Sequence, residues 1–267
     1  MTDKMCFMSV SNSVYQGFIP WYIFFLQEAY PEAHKTVLID GRLSDSASSA
    51  LSILDANYII RENAFSDFGS NIDKNTIKML RWLTYIEEFD SFDCLSIGDI
   101  DFAICKENPS YMEQHLSHCD DIGLPYSNFV RPERPRLSGV HVVRPKEWFT
   151  VMRPIMRKYR KLLKSGKLVF ERPSGANEQL LFKMVAESSF GTPQDTSSSY
   201  NQCITSSAHH GVHLRLVKKR GIKGYKRIKN YSNHRNELRR ICETSKFKQL
   251  SQLSPDIADD IRLAASA

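Results

Sequence analysis

Phe92-Asp93-Cys94-Leu95-Ser96-Ile97-Gly98-Asp99-Ile100-Asp101-Phe102-Ala103-Ile104 is an apolar run interrupted by a pair of carboxylates two residues apart. Residues i and i+2 of an extended chain point to one side, so a strand through this stretch would aim Asp99 and Asp101 at one point. Two carboxylates that close repel unless a proton or a cation lies between them. A hard divalent ion with oxygen ligands suits such a pair and keeps open positions for phosphate oxygens. The bland alternative is an Asp-x-Asp that merely ends a buried strand.

Outward from this stretch, strand and helix patterns alternate from residue 5 to about residue 104. Strands are expected at 5–10, 36–39 and 58–60, and helices at 18–29, 46–54 and 71–89. Alternation of this kind implies a mainly parallel sheet covered by helices. Residues 106–136 read as irregular. A strand is expected over 137–143, and a turn at 145–148 leads into a basic amphipathic helix over 151–164. A further helix is expected at 177–188. Residues 1–215 are taken as one α/β unit, divided at about 104, and 216–267 as a basic helical extension. Its 267 residues suffice for such a unit, and 42% hydrophobic and 25% charged residues are ordinary globular values.

The net charge of +6 is unevenly placed. The first 150 residues are acidic, whereas Arg153, Arg157, Lys158, Arg160, Lys161, Lys164 and Lys167 crowd one stretch. From Arg215 to Arg240 eleven Lys and Arg stand against the single acid Glu237. Such asymmetry favours an anionic partner, though a solvated helix face explains the 153–167 run as well. Six scattered cysteines without a CxxC pair fit a reduced, intracellular protein. No signal peptide is expected, and the most hydrophobic run, 18–26, falls well short of the ~20 residues of a membrane span. A cytoplasmic location is therefore expected, with peripheral contact to an anionic membrane surface through the basic tail.

In parallel α/β sheets ligands bind beyond the carboxyl ends of the strands, where strand order reverses. By that rule Ser9, Ser11, Asp40, Arg42 and the Asp99/Asp101 pair line one crevice. Arg81, on the helix before the pair, is either a contact to a carboxylate or sugar hydroxyl, or a surface arginine beside Trp82. His209, His210 and His213 bracket Gly211, and imidazole completes sites for borderline metals. His210 and His213 are the favoured ligands, with Arg215 and Lys218 placed to pair with phosphate oxygens. The His115-x-x-His118 pair lacks a partner set with closed-site spacing. Glu178 opens a helix, either to suit the helix dipole or to accept a proton from an acceptor hydroxyl.

In this order the pieces resemble the nucleotide-sugar-dependent glycosyltransferases of the GT-A fold, Asp-x-Asp type. The resemblance rests on Gly98-Asp99-Ile100-Asp101-Phe102, on Leu137-Ser138-Gly139-Val140-His141-Val142-Val143, on Asn177-Glu178-Gln179-Leu180-Leu181, and on the arginine-bearing Lys78-Met79-Leu80-Arg81-Trp82-Leu83. A late histidine with a glycine and a basic residue, within 209–215, completes it. It implies a mainly parallel central sheet with flanking helices and a metal-dependent transfer of a sugar from a nucleoside diphosphate such as UDP. The acceptor would be a hydroxyl of a glycan or lipid-linked molecule, and Mn2+ or Mg2+ the cofactor. Asp101 and Glu178 would be catalytic, with Asp99, Asp101, His210 and His213 on the metal. Ser9, Ser11, Asp40, Arg42, Arg81, Asp99, Arg215 and Lys218 would contact the donor, and Ser138, Gly139, His141 and Glu178 the acceptor. Two rival readings are a metal-dependent nucleotidyltransferase or nuclease, for which Asp40 would be the third carboxylate, and a nucleic-acid-binding protein using the basic tail. Nucleic acid is not the expected partner, because it leaves Asp99, Asp101 and the histidines without a purpose.

Overall fold

The computed structural model describes residues 4–69, 72–131, 135–171, 175–193, 204–217 and 231–266. A six-stranded sheet runs in the order β3-β2-β1-β4-β7-β6. Its strands are β1 (Met5–Ser11), β2 (His34–Ile39), β3 (Ile59–Arg61), β4 (Cys94–Gly98), β6 (Tyr126–Ser127) and β7 (His141–Val143). The first four pair in parallel, while β7 runs antiparallel to both β4 and β6. The result is a mixed α/β fold with a mainly parallel central sheet and flanking helices.

β1 shows why the sheet is covered on both faces. Met5 and Phe7 enter one apolar cluster, and Cys6, Met8 and Val10 enter the other, as strand alternation requires. The first cluster holds α1 (Ile19–Ala29), whose sequence is apolar all round and which carries Pro20 in its first turn, where no amide partner is lost. The second holds α3 (Lys74–Leu80), α5 (Pro145–Lys164) and α6 (Ala176–Glu187). Helices α8 (Tyr231–Cys242), α9 (Ser245–Leu253) and α10 (Pro255–Ser266) place Leu238, Ile241, Phe247 and Ile261 in the first cluster, and Phe247 meets Trp21 edge-on at 5.4 Å. The apolar sides of these late helices are thus part of the core beneath α1. No helix of the described residues is long and apolar enough to cross a membrane.

Several sequence expectations change. The 92–104 run is not one strand. β4 stops at Gly98, a turn carries residues 99–101, and β5 (Phe102–Ile104) pairs antiparallel with β8 (Gly211–His213) in a separate two-stranded sheet. The 71–89 helix is likewise broken: α3 ends at Leu80 and 3-10 turns follow at Arg81–Leu83 and Glu87–Ser91. The irregular region contains α4 (Tyr111–Ile122), started by a Ser110/Glu113 capping box and ended by Gly123 at positive φ. Of the 137–143 strand only β7 forms, and Ser138 and Gly139 lie in the approach to it. α5 is continuous from Pro145 despite Pro154 inside it.

Gly211 is a packing requirement. A Cβ there would overlap the Ala103 carbonyl oxygen and lie 3.0 Å from its carbon and 3.1 Å from Ile104 Cα, all backbone atoms of β5. None of these can swing aside, so Gly211→Ala should part β5 from β8. We expect a loss of about 3 kcal/mol in chemical denaturation, at the upper end of typical overpacking costs. Gly139→Ala is the control, because its Cβ would meet only ordinary contacts at 3.6 and 3.9 Å. Equal stability of the two variants would refute this account.

Candidate functional site

The turn after β4 lies at the carboxyl edge of the parallel strands, where strand order reverses between β1 and β4. Ser9 Oγ donates to Gly98 O at 2.9 Å and ties β1 to the start of this turn. The pairing of β5 with β8 sets Phe102 opposite His213, and Leu214 N donates to Asp101 O at 2.9 Å. His213 therefore sits against the two aspartates, Nε2 3.8 Å from Asp99 Oδ2 and Nδ1 3.6 Å from Asp101 Oδ1. One donor atom from each of Asp99, Asp101 and His213 lies within 4.8 Å of the others. It is the turn and the β5–β8 ladder, not alternation along one strand, that make the carboxylates converge.

Arg81 completes the group. Its side chain is 2% exposed, pairs with Asp99 and stacks 4.3 Å from the Trp82 ring centroid. Burial alone would raise the Asp99 pKa, but Arg81, His213 and Lys78 outweigh it and hold the carboxyl at about 2. Lys78 lies one helical turn before Arg81, and its ammonium is 5.8 Å from the Tyr15 ring. Arg215 reaches the same tyrosine, donating to its hydroxyl with the guanidinium 5.4 Å from the ring. Tyr15 and Lys78 were not singled out from the sequence. The i, i+3 spacing from Arg81 was the available signal for Lys78; Tyr15 carried none.

Glu178 also faces this place. Its Oε2 accepts from Arg136 Nη1 at 3.1 Å, while its Oε1 and Asp99 Oδ2 both border the space where a Gly139 side chain would lie. Gly139 thus keeps a gap open between two carboxylates. Before α6, Gly175 adopts φ +75, where a Cβ would also crowd Arg136.

Other expected residues are placed differently. Ser9 and Ser11 are buried, and Ser11 Oγ donates to Asn12 O at 3.2 Å. Asp40 Oδ2 accepts from Ile72 N at 2.9 Å, and Arg42 is exposed, with its carbonyl accepting from Gln16 Nε2 at 2.7 Å. Ser138 Oγ donates to Thr205 O, again in the interior. His141 is sealed among Trp82, Tyr126 and Trp148, and burial followed by Arg81 pushes its pKa down to about 3. The acceptor-side expectation for His141 does not match this placement, because strand alternation turns its ring into the core while Val142 faces the opposite cluster. Lys218 lies outside the described residues, as does most of the 215–240 basic run.

His210 is not brought to the aspartates. Short helix α7 (Ser207–His210) ends at Gly211, and the His210 ring turns into the interior, with Nδ1 2.7 Å from Glu107 Oε2 and Nε2 3.1 Å from His115 Nε2. His209 Nε2 meets Gln114 Oε1 at 2.9 Å, and His234 Nε2 lies 3.9 Å from Glu107 Oε1. Burial would raise the Glu107 pKa, but hydrogen bonds to His210 and His234 bring it to about 2. His115 and His118 both direct Nδ1 at Ser127 Oγ, at 2.7 and 2.8 Å. This second cluster joins α4 to α7 and α8 through side chains that already engage one another.

No protein-family model matches the chain, and no curated protein does either. Among solved structures it is similar to the glycosyltransferase GlyE of Streptococcus pneumoniae TIGR4. The identity is 13%, over 70% of this chain and 44% of that one, with a TM-score of 0.47. The apo form of GlyE gives a TM-score of 0.48 at 11% identity, over 85% of this chain and 51% of that one. A galactosyltransferase, LgtC, in complex with donor and acceptor sugar analogues, gives 0.42 at 12% identity, over 76% and 84%. The chain spans about half the length of GlyE. At TM-scores below 0.5 such likeness leaves activity to be argued from this chain's own residues.

Proposed function

We propose that this chain is a glycosyltransferase that moves a sugar from a nucleoside-diphosphate donor to a hydroxyl acceptor, with a divalent ion held by Asp99, Asp101 and His213. The observation that carries this reading is the convergence of two carboxylates and one imidazole, within 4.8 Å, beside the Arg81 guanidinium at the carboxyl edge of the sheet. Two hard oxygens and an imidazole fit Mn2+, and the carboxylates also suit Mg2+. Such an ion, when bound, supplies Lewis-acid neutralisation of the charge that grows on a departing diphosphate.

The chain's own groups do the rest. Arg81 neutralises Asp99 and keeps it ionised, so the carboxylate stays available as a ligand. Lys78 and Arg215, both against Tyr15, put cations on the nucleotide side, where they hold the phosphates in orientation. Glu178 faces Asp99 across Gly139, and there it takes the acceptor hydroxyl proton or fixes the acceptor's position. Arg136 orients that carboxylate. Asp40, occupied by the Ile72 amide, gives no support to the three-carboxylate arrangement of a nucleotidyltransferase.

Calorimetric titration of UDP and GDP with Mn2+ or with EDTA tests the reading. At least one nucleotide should bind about tenfold or more tightly with metal, the lower end of what losing a metal-site contact costs. His213→Ala should abolish the difference and leave the metal-free melting point nearly unchanged. His210→Ala should instead lower the metal-free melting point, because its ring is buried and hydrogen-bonded. Equal nucleotide affinity with metal and with EDTA would remove the proposed role of the carboxylate pair.

A further inference from the structure

One cavity among the described residues lies apart from the aspartates. It is a cleft of about 730 Å³ between the end of β3, the 3-10 turn after α3, and α5. The hollows that border Asp99 share no residue with it. Its floor is apolar, formed by Leu38, Leu83 and Met156, and its rim carries four arginines against one acid, Glu62.

The arginines differ in what they already hold. Arg61 pairs with Glu88 at 2.5 Å, and Arg160 forms a fork with Asp67 at 2.6 and 3.3 Å. The Arg153 guanidinium carbon lies over the Tyr85 ring, 4.6 Å from its centroid, and Tyr85 is itself fixed by its hydroxyl, which donates to Asp90 Oδ2 at 2.6 Å. Among the described residues no carboxylate forms an ion pair with Arg153 or Arg157. These two stand four residues apart on α5, so both project from one side of the helix. This accounts for part of the basic stretch that the aspartate site leaves without a role.

A solvated basic helix face needs no cavity beneath it. Here two guanidiniums that form no ion pair with a carboxylate among the described residues flank a cleft of the size that holds small ligands, over the apolar side chains of Leu38, Leu83 and Met156. A guanidinium presents paired donors that match phosphate geometry, and an apolar floor rewards a ligand with a non-polar body. We propose that this cleft is a second binding site, for an organic phosphate or diphosphate bearing an apolar group, held by Arg153 and Arg157 with its body over Leu38, Leu83 and Met156. The same chemistry is offered by a free metabolite and by a lipid headgroup.

The test titrates the full chain with inorganic pyrophosphate and with geranyl diphosphate, in EDTA so that the aspartate site takes no metal. Geranyl diphosphate should bind at least tenfold more tightly than pyrophosphate. R153E/R157E, at exposed positions, should weaken it at least tenfold, R153Q/R157Q by less, and D101N should leave it unchanged. Co-sedimentation with phosphatidylcholine vesicles containing phosphatidic acid, lost in R153E/R157E, assigns the site to a lipid headgroup. Binding of geranyl diphosphate without co-sedimentation assigns it to a free molecule. The proposal is overturned if neither probe saturates the chain, if R153Q/R157Q and R153E/R157E bind as wild type, or if D101N abolishes binding. Equal affinity for the two probes would overturn the apolar half of the assignment. None of these outcomes depends on glycosyl transfer, so this proposal and the proposed function stand or fall separately.

Discussion

Asp101→Asn should lose glycosyl transfer by roughly a thousandfold or more while remaining folded. Asparagine keeps the volume and one oxygen but removes the charge that, in the proposed function, draws a divalent ion to the turn. Metal neutralisation of a leaving phosphate is worth several kcal/mol, and about 4 kcal/mol corresponds to a thousandfold in rate. The fold should not suffer, because the backbone oxygen of Asp101 still accepts from Leu214 N and the turn is anchored by Ser9. Losing one of two neighbouring like charges should even raise metal-free stability slightly. Steady-state assays with a nucleotide-sugar donor, paired with thermal melts in EDTA, separate the two effects. A folded variant with near-wild-type turnover would leave the carboxylate pair without a catalytic part.

Much of this site was readable from residue order, and the failures have physical causes. The β/α alternation through residue 104 and the pairing of two carboxylates with a late histidine came from pattern and chemistry. The mechanism of convergence did not, because Ile100 and Phe102 are apolar and mask the turn that breaks the strand after Gly98. Choosing between His210 and His213 required the β5–β8 register, which sets Gly211 opposite Ile104 and His213 opposite Phe102. Register is a long-range property, fixed by residues more than a hundred positions apart. α4 was missed although Ser110 and Glu113 form a readable capping box, since the polar, histidine-rich helix between them and Gly123 lacks a clear apolar stripe. The turn expected at 145–148 is instead the first turn of α5, and the helix runs on through Pro154 because Trp148, Met152 and Met156 are held in the core on both sides. Ser9 and Ser11, expected to line the crevice, and Ser138, expected on the acceptor side, are buried, with their short hydroxyls turned to backbone carbonyls.

Arg81→Met is expected to be the most destabilising substitution near the site, at about 3 kcal/mol or more. Methionine replaces much of the volume against Trp82 but leaves Asp99 as a carboxylate in a desolvated place, with His213 and Lys78 as its remaining neutralising groups. Breaking one half of a buried pair costs far more than the pair contributes as a whole. Asp99→Asn in the same chain should therefore recover most of the loss, and the double-variant cycle measures the coupling. The pH dependence gives an independent check. Asp99 in the wild type is held at about 2, below the ordinary carboxylate value, so its contribution is present above about pH 4 and is lost as pH falls toward 2. The gap between wild type and Arg81→Met should accordingly be widest near neutrality and should close on acidification, as Asp99 takes up a proton in both. A gap of constant size down to pH 2 would mean that Arg81 stabilises the fold through its packing on Trp82 and not through Asp99. The double variant would then be no more stable than Arg81→Met alone, and the arginine would have no part in keeping Asp99 ionised for a metal.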